Sequence, residues 1–138
     1  GAGAAGGLGF GLMALTGAQL QSGAKWVIEQ TQLAEKIKQA DYVFTGESSI
    51  DFQTKFGKTP WAVAQLAKQL NKPVIAFAGR VGEDVEALFD EGFSQIVSIN
   101  EPDCDLATVL KNAEQNLQNS CEDITRLLLL KHTEQGEF

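Results

Sequence analysis

The run Val74-Ile-Ala-Phe-Ala78 is continuously apolar, and two similar runs lie on either side of it, Tyr42-Val-Phe-Thr45 and Gln95-Ile-Val-Ser-Ile99. All three are short and rich in β-branched or aromatic residues, which is typical of parallel strands covered on both faces. Amphipathic segments at residues 60–70 and 83–91 separate the runs and predict helices. Alternating strands and helices predict a layered α/β fold with a largely parallel sheet.

Further helices are predicted on both sides of this region. Apolar residues at positions 8–15 predict a short buried helix that ends near Gly17. Residues 23–39 carry an apolar stripe, in which Thr31 and Gln32 mark a candidate break between two shorter helices. Helical spacing from Leu106 to Leu128 predicts one long C-terminal helix, and residues 132–138 are predicted to form a flexible tail.

Two helix ends carry local signals. Thr59 is predicted to be the N-cap of the helix at residues 60–70, with Pro60 at its first position. Gly92 is predicted to end the helix at residues 83–91 in a left-handed conformation.

Charge and composition exclude several functional classes. The chain has 18 acidic and 11 basic residues, a net charge of -7, so nucleic acid and anionic membranes are not expected partners. No apolar run approaches the roughly 20 residues that span a bilayer, and no targeting pattern is visible, which predicts a soluble, cytoplasmic protein. Cys104, Cys121 and His132 are too few and too scattered for a disulfide framework or a zinc site.

The predicted sheet is narrow for its class. It has three strands, whereas such sheets usually have about five or six, and the chain opens abruptly on a glycine-rich stretch without methionine. We therefore expect this chain to be a piece of a longer protein. Apolar surface that other segments would cover should then be exposed, and self-association is an expectation.

Two carboxylates, Glu47 and Asp51, lie in the sequence Thr45-Gly-Glu-Ser-Ser-Ile-Asp51, just beyond the first predicted strand. Open parallel sheets bind ligands at the carboxyl ends of their strands. The two carboxylates could hold magnesium or accept a proton from a substrate hydroxyl. The alternative is a solvated turn in which Asp51 makes local backbone hydrogen bonds.

Basic residues follow the same strand and the next one. Gly57-Lys-Thr59 resembles the end of a phosphate-binding P-loop but lacks its first glycine, since Phe52 occupies that position. Lys58 beside a helix start could still bind an anion, and Arg80 could meet a carboxylate or phosphate. The alternative for both is an exposed surface side chain.

The opening sequence Gly1-Ala-Gly-Ala-Ala-Gly6 fits the pattern GxGxxG, whose glycines can bring backbone amides close to a phosphate. The strand and the acidic residue that a dinucleotide site requires are not visible around it. By itself the match favours a glycine-rich helix packed closely on its neighbours.

Together these segments closely resemble class I glycerate kinases. That family carries the glycine-rich stretch of residues 1–9, the TGExxxD of residues 45–51, QT at 53–54, GKxP at 57–60 and a strand that ends in AG at 78–79. The order and relative spacing of these motifs extend across most of the chain. Family members commonly have glycine at the positions of Ser48 and Ala62, so the loop geometry departs from the family pattern there.

The resemblance implies a Rossmann-like, three-layer domain, of which residues 1–131 would be the C-terminal part. It also implies transfer of the γ-phosphoryl group of ATP to glycerate with the help of magnesium, giving 2-phosphoglycerate. Glu47 and Asp51 would be catalytic residues and magnesium ligands. The phosphate- or substrate-binding residues would be Gly3, Gly6, Gly7, Gly46, Ser48, Lys58, Thr59 and Arg80.

Two other functions remain open on the sequence. One is a non-catalytic nucleotide-binding or regulatory α/β module, which would not require paired acids beside Lys58. The other is part of a dinucleotide-dependent oxidoreductase, which the missing fingerprint context disfavours.

Overall fold

A computed structural model describes residues 3–135. In this part of the chain helices surround one parallel sheet. The elements in chain order are α1 (Ala4–Thr16), α2 (Gly23–Gln30), α3 (Leu33–Gln39), β1 (Val43–Ile50), a 3₁₀ turn (Phe52–Lys55), α4 (Thr59–Gln69), β2 (Val74–Val81), a second 3₁₀ turn (Val85–Leu88), β3 (Gln95–Ser98) and α5 (Leu106–Gln135).

The described sheet has the strand order β1-β2-β3, and both pairings are parallel, with Val43 opposite Val74 and Ile75 opposite Gln95. Apolar side chains cover both of its faces. On the α4 face the buried core includes Val74, Ala76, Ala64 and Leu88, and on the α5 face Ile75 and Phe77 pack with Ile124. The α/β class with a mostly parallel sheet is therefore confirmed.

The first two strands are longer than predicted, because they continue through polar and glycine residues to Ile50 and Val81. Glycine makes this extension feasible, since a β-carbon at Gly79 would lie 2.8 Å from the carbonyl oxygen of Ser48. A side chain there would force the two backbones apart.

The N-terminal helices follow the predicted pattern but not the predicted burial. The segment at residues 23–39 is broken as foreseen, with Gln32 in a left-handed conformation (φ 52°) between α2 and α3. Helix α1 ends at Gly17, which is left-handed (φ 69°). The prediction that α1 is buried is wrong, because none of its residues is buried and Leu15 is 87% exposed. Whether this apolar surface mediates self-association stays a prediction.

The helix predicted at residues 83–91 is wrong. The segment forms only the short 3₁₀ turn Val85–Leu88, preceded by Asp84 in a left-handed conformation, and Leu88 is fully buried. The segment is anchored by Glu91, whose Oε2 accepts hydrogen bonds from Trp61 Nε1 (3.1 Å) and Gln65 Nε2 (2.6 Å). These tertiary contacts with α4 override the weak helical preference of residues 83–91, so no α-helix forms there.

The long C-terminal helix is confirmed as α5. Its first turn is capped by Asp105, whose carboxylate accepts hydrogen bonds from the hydroxyl and the amide of Thr108 (2.7 and 3.1 Å), and these bonds lower the pKa of Asp105 from its usual value. The helix continues to Gln135, four residues beyond the predicted end at Lys131. The flexibility of residues 132–138 stays a prediction, and residues 136–138 lie outside the described part. No helix within residues 3–135 is both long and apolar enough to cross a membrane.

Candidate functional site

The candidate site lies where β1 and β2 end. Glu47 is half-buried and lies within β1, opposite Ala78 of β2, so its predicted place beyond the strand is wrong. The extended pairing of β1 with β2 carries the strand past this carboxylate. Its Oε1 accepts a hydrogen bond from the amide of Ser48 (3.2 Å).

A cavity of about 660 Å³ opens beside Glu47, between the end of the sheet and α5. Its polar lining comes from Thr45, Glu47, Ser48, Arg80 and Asn100, together with the backbones of Gly46 and Gly79. The rest of the lining is apolar and includes Cys121, whose thiol pKa is raised by burial. The structure therefore brings four predicted site residues into one cavity: Gly46, Glu47, Ser48 and Arg80.

Asp51 is the first residue after β1 and begins the 3₁₀ turn Phe52–Lys55. Its Oδ1 accepts a hydrogen bond from the amide of Gln53 (2.9 Å), and its own amide donates to the hydroxyl of Thr54 (3.3 Å). These bonds form a capping box. The alternative of local backbone hydrogen bonds thus describes part of what Asp51 does.

Asp51 also faces a cation. Lys58 Nζ lies 3.8 Å from Asp51 Oδ1, and the two side chains are 38% and 30% exposed. An ion pair with this much solvent contact is worth only about 0–1 kcal/mol of stability. The pair therefore contributes little to the stability of the fold, and both charged groups remain accessible to a ligand.

Lys58 itself is the N-cap of α4, and this corrects the prediction that Thr59 has that role. Thr59 and Pro60 are the first two helical residues, and Pro60 is buried. Lys58 has extended backbone, and its carbonyl accepts the first helical hydrogen bond, from the amide of Ala62 (3.2 Å), so the cap lies one residue earlier than predicted. No side chain caps the helix start, which leaves its first amides and the positive end of its dipole open to an anion.

The predicted metal site is only partly formed. No group of three or more potential metal-binding side chains occurs in the described residues. Asp51 is not among the residues that line the cavity beside Glu47. Magnesium in phosphoryl-transfer sites is often held by one or two carboxylates plus substrate phosphates. Glu47 and Asp51 each use one oxygen in the hydrogen bonds described above. They are separated by extended backbone of about 3.3 Å per residue, so each fits as a single carboxylate ligand beside substrate phosphates rather than as half of a shared pair.

The predicted phosphate-binding glycines of the N-terminal stretch are not brought to this site. Gly3 is the N-cap of α1, and Gly6 and Gly7 have positive φ angles of 66° and 84°. None of them lines the cavity beside Glu47. Their role in phosphate binding stays a prediction, and residues 1 and 2 lie outside the described part.

Two residues of the site were missed by sequence reasoning. Asn100 Nδ2 donates to the carbonyl of Gly79 (2.7 Å), and Asn100 Oδ1 accepts from Asn116 Nδ2 of α5 (2.9 Å). Its position directly after the third predicted strand was a usable signal. Gly82 was also missed: its amide donates to the Ile50 carbonyl (2.8 Å), and a β-carbon on it would lie 2.9 Å from the β-carbon of Asp51.

A parallel α/β sheet with acidic and basic side chains at its carboxyl end defines a class of proteins that bind small, often phosphorylated ligands at that edge. Comparison with known proteins narrows the class. The model of the Glycerate kinase family matches residues 1–129. The chain belongs to the glycerate kinase family.

Individual relatives agree with this assignment. The chain is 46% identical to a Haemophilus influenzae protein named glycerate kinase, over 95% of this chain and 35% of that protein. It is 38% identical to an Escherichia coli protein named glycerate 2-kinase, over 94% of this chain and 34% of that protein. It also superposes on the crystal structure of a Salmonella typhimurium LT2 protein described as glycerate kinase 2, with a TM-score of 0.71 and 38% identity, covering 96% of this chain and 34% of that one. The chain thus spans about a third of the length of these relatives.

Proposed function

We propose that the protein carrying this chain is an ATP-dependent glycerate kinase, and that this chain is the C-terminal part of its Rossmann-like domain. The observation that carries the proposal is the Asp51–Lys58 pair, in which a carboxylate and an ammonium group 3.8 Å apart lie at the uncapped start of α4. Family membership supplies the substrate class.

In this proposal the hydroxyl oxygen of glycerate attacks the γ-phosphorus of ATP, and the bond from that phosphorus to the bridging oxygen of ADP breaks. Asp51 accepts the hydroxyl proton. Lys58 and the first amides of α4 hold an anionic oxygen of a substrate. Arg80 lines the cavity beside Glu47 and would balance a second negative charge there.

Magnesium is part of the proposal. Either Asp51 or Glu47 would supply one carboxylate ligand beside the substrate phosphates, and Mg²⁺, when bound, would neutralise charge on the phosphates. The cytoplasmic location stays a prediction.

The experiment is a coupled assay of ADP release by the full-length protein, with glycerate, with lactate or with no acceptor. Glycerate-dependent release is expected. Phosphorus NMR of the product distinguishes the two esters, because phosphate on carbon 2 couples to one proton and phosphate on carbon 3 couples to two. We expect 2-phosphoglycerate, the product that the name of the E. coli relative suggests. ATP binding without acceptor-dependent turnover would instead favour a non-catalytic nucleotide-binding module.

The isolated 138-residue chain is expected to show no significant glycerate-dependent turnover, because it spans only about a third of its relatives. Proximity and orientation of two substrates supply a large share of catalysis, so an incomplete site is expected to lose most of its rate. The same coupled assay checks this, with the full-length protein as the positive control. Turnover by the chain alone would show that the described residues contain a complete site.

Lys58→Ala in the full-length protein is expected to raise KM for ATP or glycerate by about 10-fold or more, since hydrogen bonds to charged groups contribute about 1.5–3 kcal/mol. Ligand-free stability should change by less than about 0.5 kcal/mol, because the ion pair is partly exposed and the helix dipole opposes a cation at this end.

Steady-state kinetics and thermal unfolding measure the two effects separately. Lys55→Ala is the matched control, because Lys55 lies close to Lys58 in the sequence but its Nζ is placed over the ring of Phe56, 5.5 Å from the centroid. A loss of stability in Lys58→Ala with unchanged kinetic constants would make Lys58 a structural contact.

A further inference from the structure

Thr54 is fully buried, which is unusual for a polar residue, and among the described residues it is the only polar side chain in the buried set. It lies in the 3₁₀ turn between the two residues that the proposed function depends on. In the sequence it is the second residue of the Gln53-Thr54 pair.

Three hydrogen bonds connect Thr54 to Asp51 and Lys58. The Thr54 hydroxyl accepts from the amide of Asp51 (3.3 Å), and the Thr54 amide donates to the carbonyl of Asp51 (2.9 Å). The Thr54 carbonyl in turn accepts from the amide of Lys58 (3.4 Å). The backbones of the acid and the cation are thus both fixed by one buried residue.

Asp51 is confined from its other side as well. The amide of Gly82 holds the carbonyl of the preceding residue, Ile50 (2.8 Å), and a β-carbon at Gly82 would approach that of Asp51 to 2.9 Å. A β-branched side chain in a closed space has little rotational freedom, so the Thr54 hydroxyl is a rigid acceptor. Asp51 therefore has little room to turn while the Thr54 bond is intact.

We propose that Thr54 is a positioning residue, whose hydroxyl sets the orientation of Asp51 and its distance from Lys58 during phosphoryl transfer. This inference rests on the proposed function. A misplacement of about 1 Å at a reacting group costs about 100-fold in rate. A buried hydroxyl that prevents such movement acts on turnover more than on binding.

The test compares Thr54→Val and Thr54→Ser in the full-length protein. Valine keeps the shape and removes the hydroxyl, whereas serine keeps the hydroxyl and removes a methyl group. We expect Thr54→Val to lower kcat about 10-fold to 100-fold, while KM for both substrates changes less than about 3-fold. Thr54→Ser should retain kcat within about 3-fold even if its melting temperature falls.

If Thr54 had only a packing role, Thr54→Ser would be the more damaging variant and Thr54→Val the milder one, because serine leaves a void in the core and valine does not. Wild-type kcat in Thr54→Val, or an equal loss of kcat in the two variants, would overturn the inference. If Thr54→Val does not fold, Thr54→Ala and Thr54→Ser replace it as a pair that differs by the hydroxyl alone. Equal kcat values in that pair would overturn the inference too.

A double mutant separates this inference from the proposed function. If Thr54 acts through Asp51, then Thr54→Val should cause no further loss of kcat in an Asp51→Asn background. An additive loss would mean that Thr54 acts elsewhere, and it would overturn the inference while leaving the role of Asp51 in place. Near-normal activity of Asp51→Asn alone would contradict the proposed function itself.

Discussion

Asp51→Asn in the full-length protein is expected to lower kcat for glycerate phosphorylation by about 10²-fold to 10⁴-fold, the range associated with loss of a general base. The fold should be unaffected, because asparagine caps a helical turn about as well as aspartate. The side-chain oxygen of asparagine can still accept the hydrogen bond that the Gln53 amide now donates to Asp51 Oδ1. It cannot accept the proton of the glycerate hydroxyl, and it is a poorer ligand for magnesium.

The coupled assay measures kcat, and far-UV circular dichroism with thermal unfolding checks the fold. Asp41→Asn is the matched control, because Asp41 is an exposed carboxylate that precedes the opposite end of the same strand. It should keep wild-type activity. If Asp51→Asn turns over glycerate at a near-normal rate, Asp51 is only a turn-forming residue.

Gly92→Ala is expected to destabilise the chain more than any surface substitution. Gly92 has φ 108°, and a β-carbon on it would lie 2.7 Å from the carbonyl oxygen of Ala64 in α4. A side chain in left-handed backbone costs about 1–2 kcal/mol, and the overlap with helix backbone adds about 1–3 kcal/mol. Urea unfolding of wild type and variant measures the sum.

Gly57→Ala is the control that separates the two contributions. Gly57 also has a positive φ, 97°, but nothing lies within 4 Å of a β-carbon placed there. Gly57→Ala should lower the free energy of unfolding only by the backbone conformational contribution, about 1–2 kcal/mol. Equal losses in the two variants would show that α4 can move away from residue 92.

Much of the fold could be predicted because it depends on short-range patterns. The apolar run at Val74–Ala78 and the helical spacing along α5 are properties of consecutive residues, and β2 and α5 both begin where these patterns predict them, although each extends further. Helix α1 ends at Gly17 because glycine readily adopts the left-handed conformation that terminates a helix. The parallel arrangement followed from the crossover helix between the strands.

The errors arise where a distant segment competes with a local pattern. Residues 83–91 have helical spacing, but Leu88 is drawn into the core and Glu91 is bound by Trp61 and Gln65, so only a 3₁₀ turn remains. Glu47 lies inside a strand because β2 continues to pair with β1 beyond the apolar run. Neither partner segment can be identified from the local sequence.

The same distinction applies to the site. The sequence by itself determined most of the element types, the parallel α/β class, the family resemblance and the prediction of Glu47, Asp51 and Lys58 as site residues, since these depend on residue type and order. Only the tertiary structure decided that Asp51 faces Lys58, that Thr54 holds both backbones and that Gly82 closes the space behind Asp51. The physical reason differs between these contacts. The approach of Gly82 to Asp51 depends on the register of β1 with β2, which is set by interactions between distant segments. The Thr54 bonds span only three or four residues, but they require a backbone conformation that the residue types do not specify.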